Sequence, residues 1–256
     1  MTKIAFMFPG QGSFEPGMGK DVAEAVPEAM AVYDEGSEAS GLDLKALCFD
    51  STAEQLVDTE VQQPALVATS LALNAALPGS MAAILGLADE AVEALCKKIA
   101  GVWPANYNCP GQLVISGETS SVDEACVEAE REGARRAVKL RVSGAFHSPL
   151  VERAADRLRP AIERVHLREG GAAFMSTVTA KIEDVQRYGE LLVEQLTAPV
   201  RFTQAARALV EQGVTVFVEV GPGNVLSGLL KRIDSSARTL SVKDLGSLDR
   251  VARSRG

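Results

Sequence analysis

Apolar positions along the chain follow two different periods, and this predicts alternating strands and helices. Mostly apolar runs of strand length occupy 3–8 and 214–220, and a turn of glycine and proline follows each of them directly. Residues 88–100 instead repeat apolar side chains every three to four positions, which is typical of an amphipathic helix. A largely apolar stretch at 64–77 begins with proline and predicts another helix. The chain is therefore predicted to be an α/β protein.

The central region 80–142 contains six predicted elements in the order strand, helix, strand, strand, helix, strand. The first strand is expected at 80–87, and two strands flank a turn at Cys109-Pro110-Gly111. The second helix, 121–133, begins with a serine cap and ends in glycine. This order is the ferredoxin-like pattern. We expect 80–142 to be a subdomain and the flanks, 1–79 and 143–256, to form a second α/β unit.

Composition limits the class of partner and the compartment. The chain has 256 residues and a formal net charge of −8, which argues against a nucleic acid as partner. The apolar runs are too short to cross a membrane, and the N-terminus lacks the pattern of a signal peptide. The four cysteines form no CxxC pair, so neither a metal site nor a disulfide framework is expected. We therefore expect a cytoplasmic protein, a monomer, that binds no metal.

Two glycine-rich turns are candidate binding loops. In FPGQGS, 8–13, the glycines allow backbone N–H groups to approach a ligand, and Gln11 adds its own amide; the loop is either an oxyanion hole or a tight turn at the end of a strand. In EVGPGNVL, 219–226, the turn opens a helix and either binds a phosphate or packs that helix against the sheet. For the second turn we favour the packing role.

The chain has two histidines, and they stand in different contexts. His147, in GAFHSPL, follows a strand-like run and precedes a proline that is expected to open a helix, so it is either a general base or a satisfied buried imidazole. His166 lies in a charged stretch, and we expect it on the surface. Asn106 and Asn108 are spaced to point to one face of a strand, where they line a cleft or cap a turn.

Seven segments in order resemble the malonyl-CoA:acyl-carrier-protein transacylase family. They are FPGQGS, QQPAL, SMAAILG, NYNCPGQLVISG, GAFHSPLV, LLVEQLTAPVRF and EVGPGNVL, and they span almost the whole chain. The resemblance implies an α/β-hydrolase-like core with a parallel sheet and an inserted ferredoxin-like subdomain. It also implies transfer of malonyl from coenzyme A to the phosphopantetheine thiol of acyl carrier protein in fatty-acid biosynthesis, with no cofactor beyond these substrates.

The same resemblance assigns roles to five residues. His147 is the base for a serine nucleophile, and Gln195 orients it through its carbonyl. Gln11 contributes to the oxyanion hole, and Asn106 and Asn108 line the acyl pocket. A base of this kind needs both a donor within reach and a group that fixes its tautomer.

The nucleophile of the family has no counterpart in this sequence. The family serine lies in a G-H-S-L-G elbow between a core strand and a helix, and no G-x-S-x-G occurs in these 256 residues. We expect a segment of about fifty residues, more than one strand-helix-strand unit, to be missing near 77–80. Ser80 and Cys109 are weak candidates to replace the serine. The alternative to an impaired transferase is a catalytically inactive relative that still binds the carrier protein.

Overall fold

The structure is a computed structural model that describes most of the chain, and all statements about it concern these residues: 3–7, 20–25, 30, 33–34, 37–38, 41, 43–50, 79–140, 142 and 144–248. The chain divides into two compact units. One unit combines 1–71 with 212–256, and the other is continuous from 72 to 211. The predicted helix 64–77 lies outside the described residues.

The discontinuous unit contains a parallel sheet of three strands among the residues described. Strand β1, Lys3–Met7, pairs with β8, Val214–Val220, which pairs in turn with β9, Arg238–Val242. Strand β8 has the residues predicted for it, because a run of β-branched and aromatic side chains suits a strand buried on both faces. Helix α1, Lys20–Ala25, and helix α7, Val225–Ile233, belong to the same unit.

The continuous unit contains a four-stranded antiparallel sheet and two helices that connect its strands. The elements are β2 Ser80–Leu85, α2 Asp89–Lys98, β3 Val102–Cys109, β4 Gln112–Gly117, α3 Thr119–Arg131 and β5 Arg136–Lys139. The elements follow one another in the ferredoxin-like order, and the strand order in the sheet is β3-β4-β2-β5. One face of the sheet packs against the two helices through a core that includes Ile84, Leu95 and Leu113. The predicted order of elements in this region is therefore confirmed.

Helix α3 begins two residues earlier than the sequence predicts. The predicted cap, Ser121, lies inside the helix and is buried, whereas Glu118 occupies the N-cap position. The backbone N–H of Glu118 donates to the carbonyl oxygen of Gly101, which fixes where the chain leaves β4. A tertiary contact therefore overrides the local capping signal.

The opposite face of this sheet is also apolar, and the chain after β5 packs on it. Met81, Ala83 and Val114 form a cluster there, against which Val142 and Phe146 are packed. The remaining elements of the unit are α4 Glu152–Ile162, β6 Phe174–Ser176, β7 Lys181–Glu183, α5 Val185–Glu194 and α6 Phe202–Glu211. The position of Phe146 in this cluster brings the next residue, His147, to the same side of the sheet.

A second connection ties the end of α5 to strand β3. The N–H of Val200 donates to the carbonyl oxygen of Ala105, and the N–H of Tyr107 donates to the carbonyl oxygen of Val200. The hydroxyl of Thr203, at the start of α6, donates to the carbonyl oxygen of Tyr107. The segment that follows Gln195 is thus fixed to the strand that carries Asn106.

The helices in the described part of the chain are all too short or too polar to cross a membrane. Among the same residues, histidine, cysteine and acidic side chains form no group of three that would hold a metal ion.

Candidate active site

His147 occupies an unusual backbone conformation. Its φ is +58°, in the left-handed region, which non-glycine residues seldom adopt and which costs about 1–3 kcal/mol. The backbone N–H of His147 donates to the carbonyl oxygen of Leu196 at 2.9 Å, and this bond helps to hold the conformation. Strain of this kind is concentrated at functional sites, so the turn supports a role beyond packing.

The imidazole of His147 is oriented by a backbone carbonyl. Its Nδ1 lies 2.7 Å from the carbonyl oxygen of Gln195. Because a carbonyl oxygen only accepts, Nδ1 must carry the hydrogen, and the neutral ring then has its lone pair on Nε2. The side-chain amide of Gln195 is directed elsewhere and donates to the carbonyl oxygen of Leu192. The orienting group is therefore the main chain of Gln195.

The surroundings of His147 favour the neutral imidazole. Burial lowers its pKa below the ordinary value of 6.5, while hydrogen bonds to the backbone of Gln195 and Ala198 act in the opposite direction. A lowered pKa keeps the ring unprotonated at neutral pH. Together with the tautomer, this leaves Nε2 ready to accept a proton, which is the chemistry of a general base.

The side chain of Ser148 stabilises the turn that carries His147 by hydrogen bonds within the loop. Its buried hydroxyl donates to the carbonyl oxygen of Ala145 at 2.7 Å and accepts from the N–H of Leu150 at 3.3 Å. Pro149 follows at the first position of a short 3₁₀ helix, as its fixed φ favours. Both bonding capacities of the hydroxyl serve the loop, so Ser148 is a structural residue here.

Asn106 and Asn108 alternate with buried neighbours along β3. Both are partly buried, whereas Ala105, Tyr107 and Cys109 are buried. Asn106 also forms a parallel bridge with Val200. The register of β3 with β4 shifts between Pro104 and Asn106 and again between Tyr107 and Cys109, so alternation along the strand does not fix which face the asparagines share. Both lie in the same unit as His147, and their role in binding stays a prediction.

The structure describes both candidates for a replacement nucleophile, Ser80 and Cys109. Ser80 begins strand β2, so it does not stand on a strand-to-helix bend, and its buried hydroxyl has no hydrogen-bond partner within the described ranges. Cys109 ends strand β3 with no exposed surface, and its Sγ lies 3.9 Å from Oε1 of Gln112. A thiol buried to that degree is out of reach of a substrate thioester. Gln11 and the loop 8–13 lie outside the described residues.

The other glycine-rich turn holds an internal anion. Glu219, at the end of β8, is fully buried, and its two carboxylate oxygens accept from the N–H groups of Leu226 and Ser227 at 3.0 and 2.9 Å. These are orphan donors of the first turn of α7, where a phosphate would otherwise bind. The carboxylate already satisfies them, in agreement with the packing role favoured from the sequence.

Three features of the site were not evident from the sequence. The left-handed conformation of His147, the contact with Leu196 and the contribution of Ala198 all depend on chain segments about fifty residues apart. His166, in contrast, is exposed as predicted.

Comparison with known proteins places this arrangement in a class. The sequence profile of the acyl transferase domain matches residues 70–250. A malonyl CoA-acyl carrier protein transacylase from Bacillus subtilis (strain 168) is 36% identical over 299 residues, covering 95% of this chain and 94% of the relative. The class defined by fold and sequence is thus that of the acyl transferases.

Similar solved structures indicate which group of acyl transferases this chain belongs to. An acyl carrier protein S-malonyltransferase from Vibrio cholerae superposes with a TM-score of 0.89 at 32% identity, covering 98% of this chain and 100% of that chain. A malonyl-transacylase solved in complex with a type II polyketide synthase acyl carrier protein gives a TM-score of 0.86 at 32% identity, covering 99% and 100%. This chain belongs to the malonyl-CoA:acyl-carrier-protein transacylase family. The predicted fold class, an α/β-hydrolase-like core with an inserted ferredoxin-like subdomain, is confirmed.

The alignment also has a consequence for length. The alignment has 299 positions, and the 95% of this chain that it covers is about 243 residues, so about 56 aligned positions of the Bacillus relative have no counterpart here.

Proposed function

We propose that this chain is an acyl-carrier-protein S-malonyltransferase by descent that has lost the acylation step with the segment carrying its nucleophile. The observation that supports this most directly is the oriented neutral imidazole of His147, with Nδ1 at 2.7 Å from the carbonyl oxygen of Gln195. Such a base is of use only to a hydroxyl or thiol that it deprotonates. The sequence supplies no G-x-S-x-G elbow to present one.

In the complete reaction a serine Oγ attacks the malonyl thioester carbonyl while Nε2 of His147 takes the hydroxyl proton. The tetrahedral oxyanion, stabilised by Gln11, collapses, the carbon–sulfur bond breaks, and the coenzyme A thiolate leaves with the proton from His147. The phosphopantetheine thiol then gives its proton to His147 and attacks the carbonyl of the malonyl-serine ester. The ester C–O bond breaks, and the serine oxygen takes the proton back from His147, which regenerates the hydroxyl. Asn106 and Asn108 line the acyl pocket in this scheme.

The gap supports the loss of the first of these steps. The roughly 56 unmatched positions are close to the length of a strand, an elbow and the helices around it. We place the gap near 77–80, between the predicted helix 64–77 and strand β2. Without the serine, a site of this type retains only about 10³–10⁴-fold catalysis over water.

Binding of the carrier protein without transfer is the second candidate. A related malonyl-transacylase was solved with an acyl carrier protein, and the residues that follow the proposed gap have the same fold in this chain. The partner in either case is the acyl carrier protein, and malonyl-CoA is the acyl donor in the first. We further propose a cytoplasmic monomer that acts in fatty-acid biosynthesis and needs no cofactor.

Three proteins test the proposal. They are the 256-residue chain, a chimera in which the unmatched segment of the Bacillus relative is inserted between Leu77 and Pro78, and the same chimera with its elbow serine changed to alanine. Malonyl transfer to holo carrier protein is followed by mass spectrometry. We expect transfer by the chimera to exceed that of the other two by at least about 10³-fold.

Each contrary result has a distinct meaning. Fast transfer by the 256-residue chain would show that it has a nucleophile of its own. A folded chimera without activity would contradict the proposal that activity was lost with the missing segment. Capture of the carrier protein by the inactive chain, weakened by salt, would support the binding function, and absence of capture would exclude it.

A further inference from the structure

We infer that Gly79 is a positioning residue for His147, because the absence of a Cβ at this position lets the loop 144–148 pack directly against the start of strand β2. The packing is independent of any activity. Its importance for catalysis rests on the proposed function.

The fit at Gly79 is too tight for any side chain. A Cβ built on Gly79 would lie 2.6 Å from the Cβ of Ala145, 2.9 Å from the carbonyl oxygen of Gly117 and 3.3 Å from the backbone nitrogen of Ala145. Non-bonded carbon atoms prefer a separation of about 3.5–4.0 Å. A methyl group at position 79 would therefore force a displacement of about 1 Å.

The loop is the partner that must move. Gly117 pairs with Ser80 in the β2–β4 ladder, so its carbonyl is fixed by the sheet. Ala145 is fully buried but lies in an irregular segment, and its carbonyl oxygen accepts from the hydroxyl of Ser148. His147 lies between Ala145 and Ser148 in the chain, so a shift of this loop also moves His147.

A displacement of that size acts directly on the imidazole. The contact from Nδ1 to the carbonyl oxygen of Gln195 is 2.7 Å, and about 1 Å more ends the hydrogen bond. The main-chain bond from His147 to Leu196, at 2.9 Å, is equally sensitive. Without these bonds neither the tautomer nor the left-handed backbone of His147 is defined.

The place of Gly79 in the chain makes this contact more informative. It stands at the position where we propose that the family segment is absent, immediately before strand β2. The loop 144–148, which carries His147, therefore packs against the residue that follows the proposed gap. An inserted segment has to leave Gly79 in place if it is to rebuild the site.

Nitrogen NMR of the two histidines tests the inference, because a chain with only His147 and His166 gives two well separated sets of imidazole signals. In Gly79→Ala we expect the His147 signals to lose the pattern of a fixed Nδ1–H tautomer and the pKa of His147 to rise towards 6.5. The signals of the exposed His166 should not change. Gly171→Ala is the matched control, since nothing lies within 4 Å of a Cβ there.

A rescue variant separates positioning from loss of the fold. Ala145→Gly removes the atom nearest to the added methyl, so the double variant Gly79→Ala/Ala145→Gly should recover part of the native His147 signals, or the fold itself if the single variant does not fold. The inference is overturned if Gly79→Ala leaves the tautomer and the pKa of His147 unchanged, or if the double variant recovers nothing.

Activity gives an independent reading in the chimera. There Gly79→Ala should lower kcat by about 10²-fold with KM nearly unchanged, as expected for a misplaced base. Changed NMR signals in an inactive chimera would uphold the positioning role while contradicting the proposed function.

Discussion

Two turns in this molecule each hold a buried polar side chain by hydrogen bonds to the backbone. They differ in whether the side chain keeps an atom that is free to react. At the turn after β8, both oxygens of the Glu219 carboxylate accept from N–H groups of α7. At the loop before α4, Nδ1 of His147 donates to the carbonyl oxygen of Gln195, and the lone pair of Nε2 remains available to accept a proton.

Structural and reactive polar groups differ in whether the fold satisfies their whole hydrogen-bonding capacity. A buried group whose bonding capacity is met inside the fold stabilises that fold, because leaving its partners unpaired costs free energy. A group that is fixed by one atom and retains a reactive second atom is prepared for chemistry. Both turns contain glycine and proline, so the sequence pattern alone does not distinguish them.

The largest expected effect concerns activity and the reactive group, His147. In the chimera that carries the family segment, His147→Ala should lower kcat/KM for malonyl transfer by about 10²–10⁴-fold, because the serine loses its base. Thermal unfolding should change little by comparison. His166→Ala, at an exposed position, is the control, and equal losses from both variants would remove His147 from the mechanism.

The next effect concerns stability and the structural group, Glu219. Glu219→Ala leaves the N–H groups of Leu226 and Ser227 without their acceptor, so we expect a loss of about 2–4 kcal/mol in the free energy of unfolding. Urea denaturation measures it. Glu24→Ala, which removes an exposed carboxylate from the same unit, should cost less than about 0.5 kcal/mol. A similar small loss for Glu219→Ala would show that water replaces the carboxylate.

The smallest effect is the pH dependence that His147 imposes on stability. Its pKa is lowered in the folded protein, so between that value and 6.5 the unfolded chain binds more protons. The free energy of unfolding should therefore fall as pH drops below about 6.5, by no more than about 1.4 kcal/mol per pH unit, and become level below the folded pKa.

Denaturation at a series of pH values in the wild type and in His147→Asn isolates this contribution. Asparagine tolerates the left-handed backbone and does not titrate. The difference between the two proteins should be constant above about pH 7 and shrink as the solution becomes more acidic. A difference that grows instead would mean that folding raises the pKa of His147.

Periodicity predicted the elements well where local pattern and packing agree. Strand β8 has the predicted residues, and the order of elements in 80–142 is the observed one. Helix α3 is the exception, since Ser121 offers a cap by residue type while the bond from Glu118 to Gly101 starts the helix earlier. Capping propensity is worth about 1 kcal/mol, and a tertiary contact readily outweighs it.

The sequence by itself determined the fold class, the family and the identity of the candidate base, because these depend on composition, period and motifs that are local in the chain. It also determined that no serine elbow is present. Only the tertiary structure decided that His147 is a neutral Nδ1–H tautomer, that Glu219 fills the helix terminus and that Gly79 packs against Ala145. Each of these depends on atoms brought together by folding, whether from nearby or from distant parts of the chain, and the sequence order does not encode their distances.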